Sequence, residues 1–226
     1  MKIAVLGTGM VGRAHAAKLS GLGHEVFMGT RNVHGKMAET SPDAMGHPPL
    51  SAWLTEHPDV RLVSFAEAAA AGEIAYDCLH GAAALATLAG LRSELAGKLL
   101  IDIANPLDSS HGSPASLSVS NTDSLAEQIQ RALPETAVVK TLNTVNASLQ
   151  TDPRMLADGD HDVFVSGDDP AARERVVRIL EDWYGWRNVL ELGDITTARG
   201  PEMYLPLWLR IWSAVKAPVF NIKVVR

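Results

Sequence analysis

Met1-Lys2-Ile3-Ala4-Val5-Leu6-Gly7-Thr8-Gly9-Met10-Val11-Gly12 opens the chain. It is a short apolar strand running straight into G-x-G-x-x-G, and Ala14, Ala16, Ala17, Lys18 and Leu19 behind it favour helix. Three glycines at a strand-to-helix turn let the backbone approach a pyrophosphate, and the helix that follows points its positive N-terminal end at the phosphates. A glycine motif alone is weak; here its flanks and its downstream partner both fit. The first half of the chain therefore reads as a dinucleotide-binding unit. Gly7, Thr8, Gly9, Met10, Val11 and Gly12 form its phosphate turn.

Outward from this turn, strand and helix patterns alternate. Strands are expected at Ile3–Leu6, Glu25–Gly29, Arg61–Ser64, Ile74–Leu79, Leu99–Ile103 and Val138–Thr141. Helices are expected at Arg13–Leu22, Phe65–Ala71, Ala83–Leu95 and Ser124–Leu133, the last with Ser124 as N-cap and Glu127 completing a capping box. Such alternation predicts an α/β fold with a doubly wound parallel sheet of the Rossmann kind. Two connections are long. Asn32 to Val60 carries Pro42, Pro48, Pro49 and a short helical piece near Trp53. Asn105 to Asn121 is rich in Ser, Gly and Pro and leaves a strand's C-terminal end, where such folds bind ligands.

After Asp152 the pattern changes to a small α+β segment: a strand at Asp162–Ser166, a helix at Pro170–Trp183, a strand at Val189–Leu192 and a long helical region over Thr197 to Lys216. Residues 1–150 are read as the nucleotide domain. Residues 151–226 are read as a segment that completes the substrate site. In the last helix Met203, Leu207, Trp208, Ile211, Trp212 and Val215 recur at helical spacing, and Leu205 and Leu209 make the other face apolar. A helix apolar all round wants burial on both sides, which suggests packing against the body and against a second subunit.

Composition narrows the function. The 226 residues carry 20 Lys and Arg against 26 Asp and Glu, a net charge of −6, which argues against nucleic acid as the main partner. One cysteine, Cys78, allows no intrachain disulfide and no cysteine-based zinc site, and fits a reduced, cytoplasmic setting. No metal site is expected. The apolar stretch from Met203 to Val219 is interrupted by Pro206, Arg210 and Lys216, so no membrane span is expected either.

The second strand identifies the dinucleotide. NAD-binding units place an Asp or Glu about 20 residues past the glycines, on the ribose 2′-hydroxyl. Here that strand end reads Gly29-Thr30-Arg31-Asn32, with no carboxylate. Arg31 can pair with a 2′-phosphate and stack on adenine, and Thr30 can donate a hydrogen bond. NADP(H) is predicted over NAD(H).

Together with Asp102-Ile103-Ala104-Asn105-Pro106 and Lys140-Thr141-Leu142-Asn143-Thr144, these motifs give the chain a marked resemblance. It resembles the NADP oxidoreductases of the coenzyme F420-dependent type, a family that also includes the nucleotide domain of the STEAP metalloreductases. The resemblance covers nearly the whole length. It implies a Rossmann domain, a C-terminal segment completing the site, a homodimer, and hydride exchange between NADPH and a deazaflavin or flavin-like acceptor. By match of motif, Thr30 and Arg31 carry over as 2′-phosphate binders, and Gly7, Gly9 and Gly12 as the pyrophosphate turn. The chain departs from the family at Cys78-Leu79-His80-Gly81, at Asn143-Thr144 and in the Asn32–Val60 insertion. The acceptor, F420, a flavin or another small redox molecule, stays open.

Candidate groups near the nicotinamide sit at predicted strand ends. Asn105 and Asn143 can fix a carboxamide or ribose through paired donors and acceptors, or simply form turns. His80 is a candidate acid and a further cofactor contact. Lys140 reads equally as structural, salt-bridged or part of the site, and Cys78 as a small core residue. Two other readings remain beside a flavin-type reductase: a non-catalytic NADP(H)-binding redox sensor, and a reductase of a small carbonyl or imine. The Tyr-x-x-x-Lys of short-chain dehydrogenases is absent, because Tyr76, Tyr184 and Tyr204 are followed at that spacing by His80, Asn188 and Trp208.

Overall fold

A computed structural model describes residues 1–42, 46–110 and 112–225. Its elements in chain order are β1 (Lys2–Leu6), α1 (Met10–Gly21), β2 (Glu25–Thr30), α2 (Val33–Met37), α3 (Leu50–Glu56), β3 (Val60–Ser64), α4 (Phe65–Ala71), β4 (Ile74–Asp77), α5 (Gly81–Ala89), α6 (Arg92–Leu95) and β5 (Leu99–Asp102). They continue with β6 (Leu107–Asp108), β7 (Ser116–Leu117), α7 (Leu125–Ala132), β8 (Ala137–Thr141), α8 (Ala147–Thr151), β9 (Asp162–Gly167), α9 (Pro170–Ile179), β10 (Asn188–Gly193), α10 (Arg199–Met203) and α11 (Leu205–Val215).

Eight strands form one sheet in the order β3-β2-β1-β4-β5-β8-β9-β10. The first six of these run parallel, β9 pairs antiparallel with β8, and β10 is parallel to β9. The doubly wound Rossmann architecture is thus present, with its parallel run reversed once. The strands of the C-terminal part extend this same sheet.

β1 shows why the sheet is central. Ile3, Ala4, Val5 and Leu6 are all fully buried. Alternate side chains enter opposite layers: Ile3 and Val5 pack with Ala16 and Leu19 of α1, while Ala4 and Leu6 pack with Ala68, Ala69, Leu88 and Leu95. A strand covered on both faces needs a continuous apolar run, which is what the sequence carries there.

Several boundaries differ from the sequence expectation for local reasons. α1 starts at Met10 because Gly9 is already its N-cap. β4 and β5 end at Asp77 and Asp102, short of Leu79 and Ile103. Each aspartate accepts a hydrogen bond from the backbone N–H two residues on and turns the chain. The helix expected over Ala83–Leu95 breaks at Gly90 into α5 and α6. α9 passes into a wider helical turn over Leu180–Tyr184 that Gly185 closes at φ 82°.

Ser124 does cap α7, accepting from Glu127 N–H at 3.1 Å. Its expected capping box stays half-formed. Arg199 takes the Glu127 carboxylate in a two-point ion pair at 2.8 and 2.6 Å, while Glu202 accepts from the Leu125 and Ala126 N–H groups.

The Asn105–Asn121 connection carries the small antiparallel β6–β7 ribbon. The Asn32–Val60 connection holds α2 and α3, with Trp53 stacked on His57 at 4.0 Å; residues 43–45 of it lie outside the described residues. At the other end, α11 buries Leu205 and Trp208, and Phe220 stacks on Trp208 at 5.1 Å. Leu207 and Val215 remain 57% and 55% exposed, so the chain itself covers one face of this apolar helix.

Candidate active site

Two of the three glycines of the turn are required by close backbone approach, and the third borders open space. Gly7 sits at φ +126°, and a Cβ there would lie 2.5 Å from the Cys78 carbonyl oxygen. A Cβ on Gly12 would lie 2.1 Å from the Gly7 carbonyl oxygen, so this glycine lets α1 close onto the turn. A Cβ on Gly9 would meet nothing within 4 Å. That open side is where an incoming backbone-bound group has room. The first turn of α1 carries no side-chain cap and no acidic residue, so its N–H groups and positive dipole end face outward uncompensated. These features fit a dinucleotide pyrophosphate.

Arg13, on the first turn of α1, was not singled out by sequence. It is 8% exposed and donates to the Thr8 carbonyl at 3.0 Å and to the Pro48 carbonyl at 2.6 Å. It ties the glycine turn to the Asn32–Val60 connection. Its place directly after the third glycine was visible; its partner, 35 residues away, was not.

At the end of β2, beside the turn, Thr30 is buried and Arg31 is exposed, with no hydrogen bond or ion pair from the described residues. Asn32 turns away to cap α2 by accepting from Gly35 N–H. Glu39 is engaged with Lys36 at 2.7 Å, and Glu25, at the opposite end of β2, with Arg61 at 2.8 Å.

The loops after β4 and β5 enclose a cavity of about 160 Å³ between Val11, Cys78, Leu79, Ile103, Ala104 and Asn105. A larger cavity of about 480 Å³ adjoins it, sharing His80, Gly81 and Leu107 and reaching Leu85, Val119, Leu125 and Gln128 under the β6–β7 ribbon. A Cβ on Gly81 would lie 1.9 Å from the Asn105 carbonyl oxygen, so the two loops meet there only because it is glycine. His80 is exposed on this junction. Its Nδ1 accepts from Ala82 N–H at 3.3 Å as the N-cap of α5, which leaves the ring hydrogen on Nε2.

Asn105 and Asn143, expected at separate strand ends, clasp each other. Asn143 Nδ2 donates to Asn105 Oδ1 at 2.9 Å and to the Pro201 carbonyl at 3.1 Å; Asn105 Nδ2 donates to the Asn143 carbonyl at 3.0 Å. The amide hydrogens of Asn143 are thus spent joining β5, β8 and α10. Cys78 packs against the core and lines the smaller cavity, and burial, then the charges of Asp77 and Asp102, push its thiol well up.

Beneath these loops lies a charge cluster that sequence reading missed. Asp77, Asp102 and Lys140 stand in one row across β4, β5 and β8. Lys140 Nζ reaches Asp102 Oδ2 at 3.0 Å, Glu202 Oε1 at 3.0 Å and the Ala104 carbonyl. All four side chains are 0–1% exposed. Burial alone would lower the Lys140 ammonium, but Asp102 and Glu202 outweigh it and hold it above its usual range.

A second buried set joins α1 to the C-terminal part. Gln150 Nε2 donates to the Leu142 and Val145 carbonyls, so its Oε1 accepts from His15 Nε2 at 3.0 Å. His15 Nδ1 then accepts from the Tyr184 hydroxyl at 2.9 Å. Burial lowers the His15 pKa to about 4 and keeps the ring neutral.

A Rossmann sheet with an uncapped glycine turn, a basic second-strand end and a cavity at the β4 and β5 ends defines a dinucleotide-dependent oxidoreductase. The family model described as "NADP oxidoreductase coenzyme F420-dependent" matches residues 2–106. The F420-dependent NADP reductase of Methanothermobacter marburgensis is 30% identical over 217 residues, 93% of this chain and 92% of that protein. A solved structure from Arthrobacter sp. FB24, provisionally assigned as an F420 dependent NADP-reductase, is 53% identical, covers 100% of both chains and superposes with a TM-score of 0.94. Metalloreductase STEAP3 of Rattus norvegicus is 28% identical over 212 residues, 92% of this chain, which spans 38% of that protein's length. The chain belongs to the coenzyme F420-dependent NADP oxidoreductase family, and is an NADP-dependent oxidoreductase. Among the described residues no helix is long and apolar enough to cross a membrane, and no three His, Cys, Asp or Glu side chains are grouped to hold a metal.

Proposed function

We propose that this protein is a reductase that passes a hydride from NADPH to a flat flavin-like or deazaflavin ring, F420 included, seated in the cavity under the β6–β7 ribbon. The observation that carries the reading is the junction of two cavities at His80 and Gly81, one against the glycine turn and one walled by Leu85, Val119 and Leu125. When bound, NADPH supplies the hydride. The chain supplies placement. Gly9 and the free N–H groups of α1 hold the pyrophosphate, and Thr30 and Arg31 hold the 2′-phosphate. Val11, Ala104 and Asn105 flank the nicotinamide. Hydride transfer between two flat rings needs their alignment above all, and alignment is what rigid loop walls provide.

Residues 151–226 complete the site through α10, whose Pro201 and Glu202 bond to the ends of β8 and α7. The open face of α11 packs on a second copy in a homodimer. A reductase of a small carbonyl or imine is the second reading, favoured by one observation: His80 carries its ring hydrogen on Nε2 at the cavity junction, where such a substrate needs a proton donor.

The test is NADPH oxidation by purified protein with F420, FMN, riboflavin, ferric chelates and small carbonyls. Turnover confined to flavin-like acceptors supports the first reading, and turnover confined to carbonyls or imines, lost in His80→Ala, supports the second. Tight NADPH binding without any turnover defeats both in favour of a sensor. Arg31→Ala should weaken NADPH by about tenfold or more and NADH little, the loss of one charge-assisted bond. Equal weakening of both dinucleotides would sink the 2′-phosphate assignment.

A further inference from the structure

Two loops wall the cavity at the nicotinamide end, and the last residue of each preceding strand sets its course. Asp77 Oδ1 accepts from Leu79 N–H at 3.0 Å. Asp102 Oδ1 accepts from Ala104 N–H at 2.9 Å. The two aspartates are partners in register, and neither has any solvent exposure.

Their second oxygens differ. Asp102 Oδ2 receives Lys140 Nζ at 3.0 Å. Asp77 Oδ2 is buried with no donor from the described residues, and its carboxyl meets that of Asp102. Two carboxylates in that position repel; with one proton between them they form a strong hydrogen bond. The charged groups facing Asp77 are Asp102 from β5 and Lys140 from β8, with Glu202 of α10 behind Lys140 and the Cys78 thiol on the same loop. The Leu79 N–H and the Lys140 charge favour an ionised Asp77, but Lys140 is already shared between Asp102 and Glu202. Burial, then the Asp102 charge, raises the Asp77 carboxyl well above the usual carboxylate range.

We propose that Asp77 is a positioning residue that works in its protonated form: its hydrogen bond to Asp102 ties the two wall loops together and sets the cleft in which the reacting rings meet. The proposal rests on the nicotinamide lying against those loops. Losing the proton puts two negative charges between them, spreads the loops and slows hydride transfer without touching the 2′-phosphate end. Cofactor affinity is then largely kept while kcat falls.

Infrared spectroscopy of the ligand-free protein, with kinetics of Asp77→Asn and Asp77→Ala, tests this. The wild type at neutral pH should show the carbonyl band of a buried protonated carboxyl, absent from Asp77→Asn. Asp77→Ala should lower kcat by about tenfold or more, as loop displacement does to aligned reactants. Asp77→Asn should restore most of it, since its amide oxygen accepts from Leu79 and its –NH2 donates to Asp102. That variant should also lose the alkaline fall in kcat that the wild type shows. Absence of the band overturns the inference, as does an Asn variant that folds yet is as slow as the Ala variant. A wild type that binds no NADPH overturns the functional reading and this use of Asp77 together, whatever the band shows.

Discussion

Lys140→Met removes one charge from a closed site and leaves its length and apolar stem in place. The ammonium is 1% exposed and holds Asp102 and Glu202, each at 3.0 Å, together with the Ala104 carbonyl. Without it, two buried carboxylates keep their charge and lose their counter-ion. Breaking a buried pair from one side costs about 3–5 kcal/mol. The structure places this case at the lower end. Glu202 retains the Leu125 and Ala126 N–H groups, and Asp102 retains Ala104 N–H. The expected loss is therefore about 3 kcal/mol at neutral pH, a large share of the roughly 5–15 kcal/mol of a typical domain. Urea unfolding should show a midpoint lowered by about 1–2 M with an unchanged slope.

The sign with pH is determined. Deprived of Lys140, the two carboxylates are buried negative charges without a counter-ion. Relative to wild type, the deficit should therefore shrink as acid protonates them and be largest at alkaline pH. The variant Lys140→Met/Asp102→Asn/Glu202→Gln should recover most of the loss, because a whole buried pair replaced by uncharged groups is close to neutral. An unfolding free energy within about 0.5 kcal/mol of wild type, or a deficit that grows on acidification, would refute the argument.

Three further outcomes follow from the same geometry. Gly9→Ala should fold with wild-type stability and lose NADPH affinity, since its Cβ enters open space that the pyrophosphate needs, whereas Gly12→Ala, with its Cβ 2.1 Å from the Gly7 carbonyl oxygen, should lose stability as well; calorimetric binding beside thermal unfolding separates the two. The His15 ring, with a pKa lowered to about 4, should stay neutral in NMR spectra down to about pH 5. The unfolded chain takes that proton near the usual value, so His15 stabilises fully above about pH 6.5 and its contribution falls by up to about 1.4 kcal/mol per pH unit below it; a ring that titrates near its usual value refutes this. Leu207→Glu with Val215→Glu should give monomers by sedimentation at concentrations where the wild type is dimeric, and a wild-type monomer throughout would remove the dimer assignment.

The parts of the molecule that were legible from sequence are those written in short-range pattern. β1, the glycine turn and β2 follow from an apolar run, three glycines and a second apolar run, and they place Arg31 at the β2 end without any knowledge of contacts. The Ser64-x-x-Glu67 capping box at α4, not singled out from sequence, is written in the same short-range pattern, and the structure forms both of its bonds. Boundaries failed where one side chain decided them. Asp77 and Asp102 stop their strands early by bonding the backbone two residues on.

The charge cluster was illegible for a different reason. Lys140 looked like any strand lysine, and its three readings stayed open. Glu202 sits in a run of helical residues 76 positions from the Ala126 N–H it caps. What joins them is register: Asp77, Asp102 and Lys140 face one another because β4, β5 and β8 pair residue for residue at that row. A slip of one residue in β5 would bring Ile101 or Ile103 opposite Lys140 and send the Asp102 carboxylate to the other face. The apolar alternation that builds the two cores is thus also what assembles the polar row at the ends of β4, β5 and β8. The same constraint holds the loops of the proposed hydride-transfer cleft to the core of the sheet, so a core substitution that shifts β5 should disturb the site before it unfolds the domain.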